Sequence, residues 1–116
     1  VQEHSRSVIA AVAYAVISGK SVSSIYSHSE GSWRTVEARC SNGNISAYDF
    51  SRSSHFDGNL PNLYDYADSS HVEMNINGTK ANGYHYGSSS FYEVSVNGNS
   101  VEFYDYESGG WASYSV

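Results

Sequence analysis

Two patterns of apolar residues divide the chain. From Val8 to Ile17 the run VIAAVAYAVI is apolar without a break. From Ile25 onward, apolar residues alternate with polar ones in short runs separated by Gly, Ser, Asn and Asp. With Glu3 near its start and Gly19 after its end, the first pattern predicts a helix over residues 2–18. No face of its middle is polar, which predicts burial all round. Ten residues at about 1.5 Å each make a rod of roughly 15 Å, close to the length of a six-residue strand. A membrane span needs about twenty apolar residues. The run therefore reads as a core helix rather than a membrane or secretory segment, and favours a soluble, cytoplasmic protein.

The second pattern is a repeat. SSIYSHSEGSW, ISAYDFSRSSH, PNLYDYADSSH, ANGYHYGSSSF and VEFYDYESGGW align, each with an aromatic-x-(aromatic or His) triplet, four small or polar residues, and an aromatic or His. The triplets begin at Tyr26, Tyr48, Tyr64, Tyr84 and Tyr104. Self-similarity of this kind predicts one supersecondary unit used several times. Asn-Gly at Asn42-Gly43, Asn77-Gly78 and Asn97-Gly98 predicts type I′ hairpins. The loops SEGS, SRSS, ADSS, GSSS and ESGG predict a second set of hairpins, so that the strands run as an antiparallel meander.

Those turns set a register. Centring one hairpin on Asn97-Gly98 pairs Val94 with Val101 and Tyr92 with Phe103. Centring the next on ESGG pairs Asp105 with Ala112, Phe103 with Tyr114 and Val101 with Val116. Both assign the same residues to one face, as cross-strand partners must. The predicted core face collects Ile25, Val36, Ala38, Cys40, Ile45, Ala47, Phe56, Leu63, Val72, Met74, Ile76, Ala81, Gly83, Val94, Val96, Val101, Phe103, Tyr114 and Val116. The opposite face takes the first and third residues of each triplet and the aromatic after each loop. Its expected pairs are His28–Trp33, Phe50–His55, Tyr66–His71, Tyr86–Phe91 and Tyr106–Trp111. The stretch HFDGNLPNL (His55 to Leu63) is four residues short of the unit and predicts an irregular hairpin with Pro61 at a strand start. The expected fold is a single domain over residues 1–116, mainly β in an α+β arrangement. Its N-terminal buried helix is wrapped by a meander of about ten strands, curled or closed as a barrel, which removes exposed edges. An open sheet with the helix on one face is the alternative; it would leave part of the helix wet.

Composition narrows the function. Only 16% of residues are charged, so Ser, Asn, Gly and the eleven tyrosines must cover much of the surface. The net charge is -6 and the six basic residues are scattered, which argues against nucleic acid as a partner. Cys40 is the single cysteine, so neither an intramolecular disulfide framework nor a Cys-rich zinc site is available.

Candidate chemistry lies in the triplet centres and on the outer face. Asp49, Asp65, His85 and Asp105, with Ser27 in the fifth copy, are equivalent and point to the core side at strand ends. Such a rim could hold a hard cation or polar ligand. Equivalent strands lie about 9–10 Å apart, however, which favours loop capping over chelation. None of the five histidines has metal-ligand spacing, and His28, His55 and His71 read as aromatic fillers. No GxSxG, paired-acid or phosphate-loop pattern occurs, so neither catalytic residues nor a cofactor are expected. NIS at Asn44 and NGT at Asn77 match the N-glycosylation pattern, but both are turn sequences. The outer face presents Trp33, Tyr48, Tyr64, Tyr66, Tyr84, Tyr86, Phe91, Tyr104, Tyr106 and Trp111. Contiguous exposed rings mark binding surfaces. The expected role is a non-enzymatic structural or interaction protein that self-assembles or binds a protein partner through that face. A carbohydrate or small-ligand module is the alternative, with an enzyme or metal site at the Asp/His rim behind it.

Overall fold

The apolar run forms helix α1, Glu3–Ser18, ending at Gly19 in the left-handed conformation (φ 72), whose N–H bonds the Ala15 carbonyl. This is a computed structural model, and it describes residues 1–116. Every residue from Ser7 to Ala15 is buried, and the helix emerges only at its ends, with Glu3, His4 and Arg6 and then Val16 to Ser18 half-buried. The helix is wrapped because no side of it is wettable.

Around it run twelve strands: β1 (Ile25–Ser27), β2 (Ser32–Arg34), β3 (Val36–Ser41), β4 (Asn44–Asp49), β5 (Ser54–Asn59), β6 (Asn62–Asp65), β7 (Ser70–Glu73), β8 (Asn75–Asn77), β9 (Lys80–His85), β10 (Ser90–Asn97), β11 (Ser100–Asp105) and β12 (Gly110–Ser115). They correspond to ten segments, because β2–β3 and β7–β8 are each one stretch interrupted at Thr35 and Met74. The sheet is an antiparallel meander with the order β2-β1-β12-β11-β10-β9-β7-β6-β5-β4-β3, and β8 pairs β9. Its two ends, β2 and β3, are neighbours in the chain, so the sheet comes nearly full circle as a barrel. The seam is held by β1 against β2 and by one bridge, where Val22 and Ala38 exchange both backbone hydrogen bonds. Closure, rather than the open sheet, therefore meets the demand of the helix.

The loops after the triplets and two of the three Asn-Gly hairpins turn one position away from the expected register. At Asn42-Gly43 the pair does occupy the centre, with φ 52 and 78, the I′ pattern. In the other two hairpins Asn77 and Asn97 are the last strand residues, and Gly78 and Gly98 (φ 63 and 61) take the first central position. Positive φ at the first central residue alone is the II′ pattern. Val94 thus faces Phe103 and Val96 faces Val101, instead of Val94 facing Val101. On the other side Phe103 faces Ala112 and Val101 faces Tyr114. Each correction moves the partner by two residues, which preserves strand parity. The predicted core face survives for that reason, and nearly all of it is buried.

Ile76 is the clear departure: it is exposed. The β5–β6 hairpin turns early, through Leu60-Pro61, and Pro61 sits in the turn just before β6. The last bond on that side is Met74 N–H to the Pro61 carbonyl, so β8 overhangs with β9 as its single neighbour. Cys40 and Val116 are half-buried.

The interruption at Met74 has a visible cause. The Glu73–Met74 backbone bends over Gly83, where an added Cβ would lie 1.7 Å from the Glu73 carbonyl oxygen. Inside the barrel, Tyr92 stacks on Phe103 (centroids 5.4 Å apart, planes at 5°) and donates from Oη to that same carbonyl at 2.7 Å. Burial, reinforced by Glu73, raises the Tyr92 hydroxyl well above its ordinary pKa. Tyr92→Phe leaves the bent carbonyl without its donor. It should cost about 1–2 kcal/mol in urea unfolding, and an unchanged midpoint would show that the bond contributes nothing.

Candidate functional site

The repeat ends build two concentric features at one end of the barrel: a polar rim inside and an aromatic belt outside. Each triplet centre closes its strand. Asp49, Asp65 and Asp105 each accept, through Oδ1, the backbone N–H two residues on, from Ser51, Ala67 and Glu107 at 3.1, 3.0 and 2.9 Å. His85 caps its loop one residue further on, accepting through Nδ1 from the Ser88 N–H at 3.1 Å. The side chains of all four are buried, as is Ser27. The four following residues form the loop, whose last member has positive φ: Gly31, Ser53, Ser69, Ser89 and Gly109. An acceptor aimed at loop N–H groups is what Asp supplies in turns, and this capping starts the loop one residue earlier than ESGG and its equivalents imply.

The rim carboxylates are then divided between two guanidinium groups. Arg52 lies 3.1 Å from Asp65 and 3.4 Å from Asp68, and closer still to Asp49. Burial alone pushes the Asp49 carboxyl up, but hydrogen bonds from Ser51 and Arg52 and the Arg52 charge outweigh it and hold the group below its ordinary value. Arg6 bonds Glu3 at 2.9 Å and lies 3.5 Å from Asp105, which also pairs with the Val1 ammonium at 3.0 Å. Glu3 accepts from Tyr114 Oη at 2.9 Å and from Ser27 Oγ, so the first turn of α1 is bolted to the rim. The suggested metal candidates therefore do not converge on one point. Asp49 and Asp65 meet at Arg52, Asp105 and His85 point elsewhere, and no three His, Cys, Asp or Glu side chains gather to hold an ion.

His85 is the odd member of the set. Its Nε2 has no hydrogen-bond partner. A polar cavity of about 350 Å³ adjoins it, lined by Gln2, Ser5, Asp68, Gly87, Ser88 and Glu107. Burial, with the Val1 ammonium, lowers the His85 pKa from its ordinary 6.5 despite the nearby aspartates. A lowered folded pKa gives stability that is complete above 6.5 and lost as pH falls through the folded value. His85→Gln keeps an acceptor for the Ser88 N–H and removes the titration. The variant should lose less stability than the parent between pH 7 and about 5 in thermal melts; parallel curves would refute the assignment.

Outside, the belt corrects the expected pairs. The aromatic after each loop lies opposite the first triplet residue, not the third: Tyr26–Trp33, Tyr48–His55, Tyr64–His71, Tyr84–Phe91 and Tyr104–Trp111. The third residue belongs to the loop and folds back on the first. The result is a three-ring cluster in every copy. Tyr104, for example, contacts Tyr106 at 4.8 Å and Trp111 at 4.9 Å, both edge to face. Tyr48 sits likewise between Phe50 and His55, Tyr64 between Tyr66 and His71, Tyr84 between Tyr86 and Phe91, and Tyr26 between His28 and Trp33. The histidines serve as rings in these clusters. The central tyrosines are half-buried, whereas Trp33, Phe91 and Trp111 are more than 60% exposed and Phe50, Tyr66, Tyr86 and Tyr106 are about half exposed.

Sequence reasoning missed the acids among the rings. Glu37, Asp57 and Glu93 lie opposite Tyr48, Tyr64 and Tyr104 on the neighbouring strands. Each follows the outward ring of its own stretch, Trp33, His55 or Phe91, by an even number of residues, and that shared parity was the available signal. No family model matches this chain, and neither do any of the curated proteins or solved structures compared with it. No helix is long and apolar enough to cross a membrane.

Proposed function

We propose that this protein is a non-enzymatic interaction module that binds through its aromatic belt, with a second copy of itself as the partner to test first. The observation that carries this reading is the exposure of Trp33, Phe91 and Trp111, three large rings mounted on short strands of a barrel whose core is already filled. Exposed rings at this density mark contact surfaces, and Trp and Tyr dominate the energetics of such contacts. Their rigid three-ring mounting lowers the entropy lost on binding.

The test separates a contact role from a structural one. Each edge-to-face pair contributes about 0.2–1 kcal/mol to the fold, so Trp33→Ser, Phe91→Ser and Trp111→Ser together should cost about 0.6–3 kcal/mol and leave the protein folded at room temperature. Light scattering across a concentration series should show association by the parent and its loss in the triple variant. A parent that stays monomeric throughout removes self-assembly from the proposal.

A further inference from the structure

Between two of the three-ring clusters, those of Tyr84 and Tyr104, lies a groove of about 400 Å³, lined by Phe91, Tyr106, Glu93, Asn82 and Glu73 over the backbone of Gly83 and Tyr92. We infer that this groove is a subsite for a neutral saccharide; the inference rests on the belt being a ligand-binding surface and names the ligand class at one place on it. Phe91 and Tyr106 are 61% and 51% exposed and supply apolar ring faces for the C–H side of a pyranose. The polar groups suit its hydroxyls. Glu93 and Asn82 are direct cross-strand partners, which places their side chains about 5 Å apart on the outer face. A carboxylate that accepts beside an amide that both donates and accepts matches two neighbouring hydroxyl groups.

The carboxylates are free for that role. Neither Glu73 nor Glu93 enters an ion pair. Tyr106 Oη donates to Glu93 Oε1 at 2.9 Å, which orients the carboxylate and leaves Oε2 open. That bond also holds the Tyr106 hydroxyl above its ordinary pKa, so it remains a donor. Glu73 is pinned from inside the barrel, where Tyr92 Oη holds its carbonyl. The site is thus organised before any ligand arrives, and charge-assisted bonds from hydroxyls to carboxylates are the strong kind. A cationic ligand is the competitor to be tested, since Glu73 and Glu93 line the groove and no basic residue does. Lys80, on the same face of β9 about 7 Å along the strand from Asn82, offsets part of that negative charge.

The experiment is a titration of the ¹⁵N-labelled protein with cellohexaose, chitohexaose and mannohexaose, with tetramethylammonium as the cationic probe. The expected result is that one neutral oligosaccharide shifts amide signals of residues 82–84, 91–93 and 106. Glu93→Ala and Asn82→Ala should each weaken that binding at least tenfold, with far-ultraviolet dichroism and melting unchanged. Lys20→Ala, an exposed position just past the end of α1 and outside both belt and groove, should bind as the parent does. Three results overturn the inference: no groove shift with any of the oligosaccharides at millimolar concentration, shifts centred elsewhere on the belt, or groove shifts with tetramethylammonium alone. Binding elsewhere on the belt, or belt-dependent self-association without sugar binding, would leave the broader reading standing. Loss of both sinks it as well.

Discussion

Gly83→Ala is expected to destabilise the protein by about 3 kcal/mol or more, a large share of the roughly 5–15 kcal/mol that holds a typical domain. The new Cβ would sit 1.7 Å from the Glu73 carbonyl oxygen and 2.5 Å from its carbon. These are backbone atoms and cannot swing aside as a side chain does. Relief requires lifting the Glu73–Met74 segment off β9, which breaks the Tyr92 Oη bond at 2.7 Å and disturbs Met74, a fully buried core residue. Overpacking alone costs about 1–3 kcal/mol, and the lost buried hydrogen bond adds about another 1–2 kcal/mol. Urea unfolding of the purified variant measures the loss. A value within about 0.5 kcal/mol of the parent, the range of an ordinary surface substitution, would show that this crossing is not as tight as described.

Arg52→Met should cost about 3 kcal/mol at neutral pH. Asp49 and Asp65 are buried at the rim, and Arg52 is the cation they share. Removing one partner of a buried ion pair typically costs about 3–5 kcal/mol, because the remaining charges lose their compensation. The lower end is expected here, since each aspartate retains its loop N–H donor. Acid supplies the control. Asp49 is held below its ordinary 3.8, so its contribution is present above that pH and is lost as pH falls through the folded value. The gap between parent and variant should therefore be widest near neutrality and narrow below about pH 4. A gap that does not change with pH would assign the loss to side-chain packing rather than charge.

Much of the fold was legible because two periodicities are unusually clean. The all-apolar run had one physical solution, burial on every side, and only a closing sheet provides that. Alternation along the strands sorted residues to faces correctly even where the turns were misplaced, since each misplacement moved partners by two. Ile76 escaped the pattern because its exposure depends on how far a neighbouring hairpin extends, which no property of Ile76 encodes. The candidate site was legible in kind but not in geometry. Tyr104, Tyr106 and Trp111 were recognisable as one unit, yet their arrangement turned on Asp105 capping the loop and thereby moving Tyr106 out of the strand.

By itself, the sequence determined the buried helix, the repeated hairpin, the inward triplet centres and the outward rings, because each follows from local periodicity and turn chemistry. Only the tertiary structure decided that Arg52 serves two aspartates sixteen residues apart in the chain, that Glu73 folds over Gly83, and that Phe91, Tyr106, Glu93 and Asn82 border one groove. These depend on which strands become neighbours and by how many residues they are offset, and a one-dimensional pattern constrains that offset only to its parity.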